Sequence, residues 1–275
     1  PGDEVIYPNP GFPIYESVIR YLGAEPVPLR IAEEQDFGID VDELERRITP
    51  RTKMLVVNTP ANPTGGVLSR RDIERIAELA VKHDFWILSD EIYSRILYDA
   101  EHVSFMSLPG LPERTLLLDG HSKTYAMTGW RLGFAVAPKP VAAMISKLMT
   151  NCNSCTATFT QFAGIAALQG PQDEVDAMVQ EFRRRRDLIV AGLNAIPGVR
   201  CKMPRGAFYA FPNVRDLGMT SADLADRLLR QAGVATLAGT SFGAHGEGYL
   251  RFSYANSQAN LRKALAAVQT FVGSL

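Results

Sequence analysis

Cysteine is scarce in this chain: three residues in 275, at positions 152, 155 and 201. So few cannot build a disulfide framework. Cys152 and Cys155 form a CxxC, but a structural zinc site needs two more ligands at suitable spacing. Cys201 and four scattered histidines (His83, His102, His121, His245) supply none. No metal is expected, and the CxxC reads as two buried thiols on a helical stretch. Net charge is absent too. Lys and Arg total 29 against 30 Asp and Glu, a formal charge of −1, so nothing in the balance draws nucleic acid or an acidic membrane. No apolar run approaches the roughly 20 residues that cross a bilayer, and the opening residues lack the pattern of a secretion signal. A soluble, cytoplasmic protein is expected. Neither an internal repeat nor a low-complexity segment interrupts the chain.

What is present is an ordinary globular composition, 46% hydrophobic and 21% charged, in a chain long enough for one large domain or two modest ones. The first half alternates short apolar runs with helix-like stretches. Strands are predicted at Val5–Tyr7, Pro26–Leu29, Met54–Val57, Trp86–Ser89, Thr115–Leu118 and Gly133–Ala137. Helices are predicted near Ile14–Leu22 and Val41–Ile48, and from Ser69 to His83, where Ser69 caps and Asp72 completes a capping box. Because the strands are continuously apolar rather than alternating, a largely parallel sheet covered by helices on both faces is expected.

The second part has a different grain. A long helix is expected from Asp173 to about Ala195, with Arg183 to Arg186 as its solvated flank. Strand Ala207–Phe211, helix Ser221–Gln231, strands Val234–Leu237 and Tyr249–Ser253, and a closing helix from Ser257 follow. This reads as a small α+β domain. The breaker pair Gly170-Pro171 sets the expected boundary, giving domains 1–170 and 171–275.

Three strings of polar residues follow three of the predicted strands: NTPANPTGG (Asn58–Gly66), LSDEIY (Leu88–Tyr93) and GHSKTYAMTGWRLG (Gly120–Gly133). In open α/β sheets the carboxyl edge of the strands is where ligands bind. Lys123, just past a buried-looking strand and with Arg131 eight residues on, suits a phosphate-bearing aldehyde: the amine bonds the carbonyl and the guanidinium holds the phosphate. Arg251 is a lone charge in the apolar run GYLRFSYA, and such a residue is rarely buried unless paired.

Together these strings resemble the class I and II aminotransferases, which are pyridoxal 5′-phosphate (PLP) enzymes of fold type I, and the resemblance runs over essentially the whole chain. It implies an α/β PLP-dependent transferase fold with a smaller C-terminal α+β domain, and a ping-pong transamination between an L-amino acid and a 2-oxo acid. It also implies the roles. Lys123 would carry the cofactor and then move the substrate's α-proton. Arg131 and Ser122 would bind the phosphate. Asp90 would sit against the pyridine nitrogen, Tyr93 and Asn62 on the ring's 3′ oxygen, and Phe12 against the ring face. Arg251 would grip the substrate carboxylate, with Asn62 nearby. Two positions depart from the pattern. Gly120 stands where many relatives have Ser or Thr, which puts one phosphate contact in doubt, and Ala238 stands where the AGTSFG loop usually begins with proline.

The chain opens on Pro1 in mid-pattern, so a longer reading frame is expected. In relatives an additional N-terminal stretch supplies part of the small domain, a phosphate-binding helix start and residues that reach into the neighbouring subunit's site. An active homodimer is therefore expected of the full-length protein, and weak cofactor binding and poor turnover of these 275 residues alone. Two other activities stay open. The same lysine, aspartate and tyrosine would serve a PLP-dependent C–S β-lyase, and an aminotransferase-like body also forms the sensing domain of some transcription regulators.

Overall fold

A computed structural model describes residues 1–275. The first half contains strands β1 (Glu4–Asn9), β2 (Glu25–Arg30), β3 (Thr52–Asn58), β4 (Trp86–Asp90), β5 (Thr115–Gly120) and β6 (Gly133–Val136). Between them lie helices α1 (Ile14–Tyr21), α2 (Val41–Arg47), α3 (Arg70–His83) and the single turn α4 (His121–Thr124). The strands form one sheet in the order β2-β1-β3-β4-β5-β6. All neighbours run parallel except β6, which is antiparallel to β5. The connection from β5 to β6 holds only the single turn α4 and a 3₁₀ turn, and it brings Gly133 back directly opposite Gly120.

The caps are local chemistry. The Ser69 side chain accepts from the Asp72 amide at 3.1 Å to open α3. Asp40 accepts from the amides of Asp42 and Glu43 to open α2. Each such cap is typically worth about 1 kcal/mol. Alternation along the strands then serves both faces. Ile6, Leu55, Val57 and Ile87 pack with Leu44 of α2 and with Ile73, Ile76 and Ala80 of α3. Tyr7 and Val56 point the other way, into a cluster with Tyr15 and Ile19 of α1. Burial on both sides is why these strands read as unbroken apolar runs.

The second half contains α5 (Lys139–Asn153), α6 (Thr158–Gln169), α7 (Asp173–Asn194), β7 (Tyr209–Ala210), α8 (Ser221–Ala232), β8 (Leu237–Ala238), β9 (Leu250–Ser253) and α9 (Gln258–Val272). Strands β7, β9 and β8 form a three-stranded antiparallel sheet. Its core joins Phe182, Ile189 and Leu193 of α7 to Leu224 and Leu228 of α8 and to Leu261 and Val268 of α9. Tyr93, Ile96 and Tyr98, which follow β4, belong to the same cluster and tie the two sheets together. No helix is long and apolar enough to cross a membrane.

Several expectations need correction. Helix α5 gives bounds to the helical stretch expected around Cys152, and α6 is an additional helix. Cys152 and Cys155 are exposed rather than buried, because α5 buries none of its residues and Cys155 lies beyond its end. Cys201 is the buried thiol, and desolvation pushes it up to about 12. The arginine run is not wholly a solvated flank either. Arg186 is buried on α7, bonded to Asp99 and Asp187 and stacked 4.7 Å from the centre of the Tyr98 ring. Asp99 and Tyr98 come from a loop distant in sequence, which a helical-wheel pattern cannot show. The small-domain strands are also shorter than expected: β7 is reduced to Tyr209–Ala210, and β8 is displaced to Leu237–Ala238.

Candidate active site

Register places three strand ends side by side. Asn58, the last residue of β3, pairs with Asp90, the last of β4, and Asp90 pairs with Leu118 of β5. The polar strings beyond them therefore meet at one edge. A cleft of about 350 Å³ opens there, lined by Phe12, Asn62, Asp90, Tyr93, Lys123 and Arg251 among others. Six of the eight residues singled out in the sequence thus share one cavity, within the usual range of small-molecule pockets, about 300–1,000 Å³. Ser122 and Arg131 are not in its lining. Arg131 is exposed, bonds the Thr128 carbonyl at 2.7 Å, and borders an adjoining depression with Trp130, Thr156 and Thr160.

Lys123 arrives through a tight junction. Strand β5 passes directly into α4, and Gly120 at the junction presses against β6. A Cβ built on Gly120 would lie 2.9 Å from both the Gly133 Cα and the Leu132 carbonyl oxygen. Steric exclusion therefore explains why this position departs from Ser or Thr. Gly120→Ala is expected to destabilise the chain by about 1–3 kcal/mol through overpacking, read as an earlier urea midpoint.

The electrostatics of the cleft are uneven. Burial, and then the positive charges of Arg131 and Arg251, lower the affinity of Lys123 for its proton, while Asp90 works in the opposite direction. Asp90 is largely desolvated, which pushes its carboxyl upward. It is held by the Tyr15 hydroxyl and by the Ile92 amide at 3.2 Å, both of which favour the ionised form. Tyr93 shares a 2.8 Å hydroxyl contact with Tyr209, and burial raises both phenols.

Arg251 on β9 lies between the Tyr209 and Phe242 rings, 4.6 and 4.7 Å from their centres. It donates to the Asn62 side-chain oxygen at 3.0 Å, while its Nε is buried without a partner. Burial lowers its hold on a proton, and no carboxylate pairs with it. A buried guanidinium without a counter-charge is a costly feature and a ready receptor for a carboxylate.

Sequence reading missed Tyr15, Asn58, Asp119 and Tyr209. Tyr15 lies one helical turn after Phe12, and the two rings meet edge to face at 5.9 Å. That spacing was its only local signal. Asn58 ends an apolar strand, and its amide holds the Asp90 carbonyl at 3.1 Å while its oxygen accepts from the Asn62 amide. Tyr209 comes from the other sheet, and no local pattern announces it.

An α/β sheet with ionisable residues gathered at its carboxyl edge is the architecture of an enzyme acting on a small polar molecule. Comparison with known proteins identifies which. The chain belongs to the aminotransferase class I and II family, whose model matches residues 1–268. It is 42% identical over 272 residues to the putative aminotransferase YugH of Bacillus subtilis, covering 99% of this chain and 70% of that protein. It is also 42% identical to an aspartate aminotransferase of Pyrococcus abyssi, covering 96% of this chain and 68% of the relative. Among solved structures, an aromatic aminotransferase from Pyrococcus horikoshii superposes with a TM-score of 0.97 at 40% identity, over 99% of this chain and 74% of that one. The fold is that of the fold type I aminotransferases, and the chain is an enzyme of amino-acid transamination. Enzymes of this family generally depend on PLP.

Proposed function

We propose that this chain holds PLP in the cleft at the ends of β3, β4 and β5 and transfers an amino group from an L-amino acid to a 2-oxo acid by a ping-pong mechanism. The observation that carries this is the meeting of Lys123, Asp90 and an unneutralised Arg251 in one cavity. The residues fit the group: a weakened lysine amine suits an aldehyde, a buried carboxylate suits a pyridine nitrogen, and the orphaned Arg251 Nε suits a carboxylate. When bound, the cofactor supplies the electron-withdrawing ring that makes the substrate's α C–H acidic.

The remaining work falls to the chain. Lys123 would move the proton at the substrate's α-carbon. This requires a neutral amine, which burial and the neighbouring arginines favour. Asp90, pushed upward by burial while the Tyr15 hydroxyl and the Ile92 amide favour its ionised form, would face the ring nitrogen. Tyr93 and Asn62 would hold the 3′ oxygen and Phe12 the ring face. Arg131 and Ser122, beside the cleft, take the phosphate. Arg251, steadied by Asn62, orients the α-carboxylate.

The two domains are proposed to divide at residues 1–170 and 171–275, with Arg251 and Tyr209 brought to the cleft by the second. A homodimer is also proposed. Its support is the exposed apolar surface of α5 and α6, where Met144, Leu148, Phe159 and Phe162 are all more than 60% exposed; large apolar patches of this kind mark interaction sites. Relatives act on aspartate and on aromatic amino acids by name, and both are candidate donors.

The test is a product assay: the chain, PLP, a panel of L-amino acids and 2-oxoglutarate. Formation of glutamate with the matching 2-oxo acid supports transamination. Pyruvate and ammonia released from a sulfur amino acid, without glutamate, would replace it with β-elimination. No turnover by the full-length protein together with ligand binding would favour a sensing role.

A further inference from the structure

Asp90 has a second set of titratable groups beside it that amino-group transfer does not use. Alternation along β4 turns Asp90 to the cleft and its neighbours Ser89 and Glu91 away from it. The Glu91 carboxylate is buried, accepting from the Ser89 hydroxyl at 2.9 Å and the Ser104 hydroxyl at 2.8 Å, with His102 Nε2 at 2.7 Å. None of its three partners is Asp119. Asp119 lies between the two groups: it lines the cleft, and its carboxyl feels Glu91, Asp90 and His102.

Asp119 has one hydrogen bond, to the amide of Gly120 at 2.6 Å. Gly120 is the pivot from which α4 and Lys123 depart, and it is wedged against β6. Whatever holds that amide sets the position of Lys123 three residues later. We propose that Asp119 is a titratable positioning residue for Lys123, whose carboxylate fixes the Gly120 pivot and whose protonation releases it. This rests on the reading of the cleft as a PLP site.

The charge environment gives the device a useful range. Burial, followed by repulsion from Glu91 and Asp90, pushes Asp119 up to about 6, against the opposing Gly120 bond and His102. Phe134, its partner on β6, carries no charge, and Lys123 lines the same cleft. A carboxylate accepts a hydrogen bond more strongly than a carboxylic acid, so the pivot is firm above this midpoint and loose below it. The stability sign runs the other way. Because folding raises this carboxyl, the stability linked to it is present at low pH and is lost as pH rises through about 6. Asp119→Asn should therefore melt at a higher temperature than wild type at pH 8, and at the same temperature below pH 4.

Two measurements test the inference. In the unloaded chain, the Gly120 amide resonance should titrate with a midpoint near that of Asp119. Asp119→Asn should abolish that titration, and Glu91→Gln should move the midpoint to lower pH by removing the repulsion. PLP affinity, followed by absorbance from pH 5 to 8.5, is then compared between wild type and Asp119→Asn, so that the cofactor's own titrations cancel in the ratio. The ratio should be near one at pH 5 and rise to about 3–10-fold above pH 7, the scale of a charge-assisted against a neutral hydrogen bond. A ratio constant with pH, or a Gly120 amide indifferent to Asp119, would overturn the proposal. If neither chain takes up PLP, the cofactor reading fails and the link to Lys123 falls with it, while the amide titration still reports whether Asp119 grips the pivot.

Discussion

Replacing Lys123 with alanine is expected to slow amino-group transfer by about 10²–10⁴-fold, the usual worth of a positioned acid–base group. Moving a proton from the substrate's α-carbon requires a neutral amine at that point, and an ordinary lysine at neutral pH is almost wholly protonated. Burial and two nearby arginines shift Lys123 toward the neutral form. Arginine cannot replace it, because a guanidinium keeps its proton throughout, so Lys123→Arg should be as slow as the alanine variant. Single-turnover absorbance measurements with an L-amino acid would check the rate. Borohydride reduction of the wild type with PLP, followed by peptide mapping, should place the pyridoxyl group on the Lys123 peptide, and neither variant should carry it there. Label on another lysine in the wild type would refute the assignment.

Arg251→Met is expected to reduce kcat/KM by about 30-fold to several thousand-fold, corresponding to the 2–5 kcal/mol lost when one partner of a buried charge pair is removed. The loss should appear largely in KM, because the carboxylate is held alike in the ground and transition states. Arg251→Lys should be intermediate, keeping the charge but not the planar fork. The same substitution should leave unfolding unchanged or make it harder. Arg251 is buried against two aromatic rings with an unpartnered Nε and no carboxylate of its own, and apolar replacements of buried charges are often neutral or stabilising. Reduced activity without a lower melting temperature would thus separate a substrate-binding arginine from a structural one. A fall in melting temperature of several degrees would indicate that Arg251 serves the fold.

Two structural features show why part of the site could be read along the chain and part could not. Asn62, Asp90, Tyr93 and Lys123 follow apolar strands within a few residues, so the strand pattern and the polar string beyond it announce one another. Tyr15 holds Asp90 from 75 positions away, and Tyr209 meets Tyr93 across 116. Neither lies in a string that signals its partner. Arg131 shows the converse: an adjacent, conspicuous arginine whose guanidinium is turned to the Thr128 carbonyl beside the cleft, acting on Lys123 through its field. The CxxC shows how composition misleads, since a cysteine is usually buried but α5 offers no buried face on which to hide one.

The sequence by itself determined the strand-helix alternation, the cap of α3, the chemistry of the three strings and the family resemblance. All of these depend on residues within a turn or a strand of each other. Only the tertiary structure decided that β6 runs antiparallel, that Gly120 can bear no side chain, that Arg186 is buried, and that Arg251 faces the cleft without a counter-charge. Those outcomes depend on which distant groups desolvate or neutralise a side chain. Burial and Coulomb energy are set by distance in space, and sequence separation does not record it.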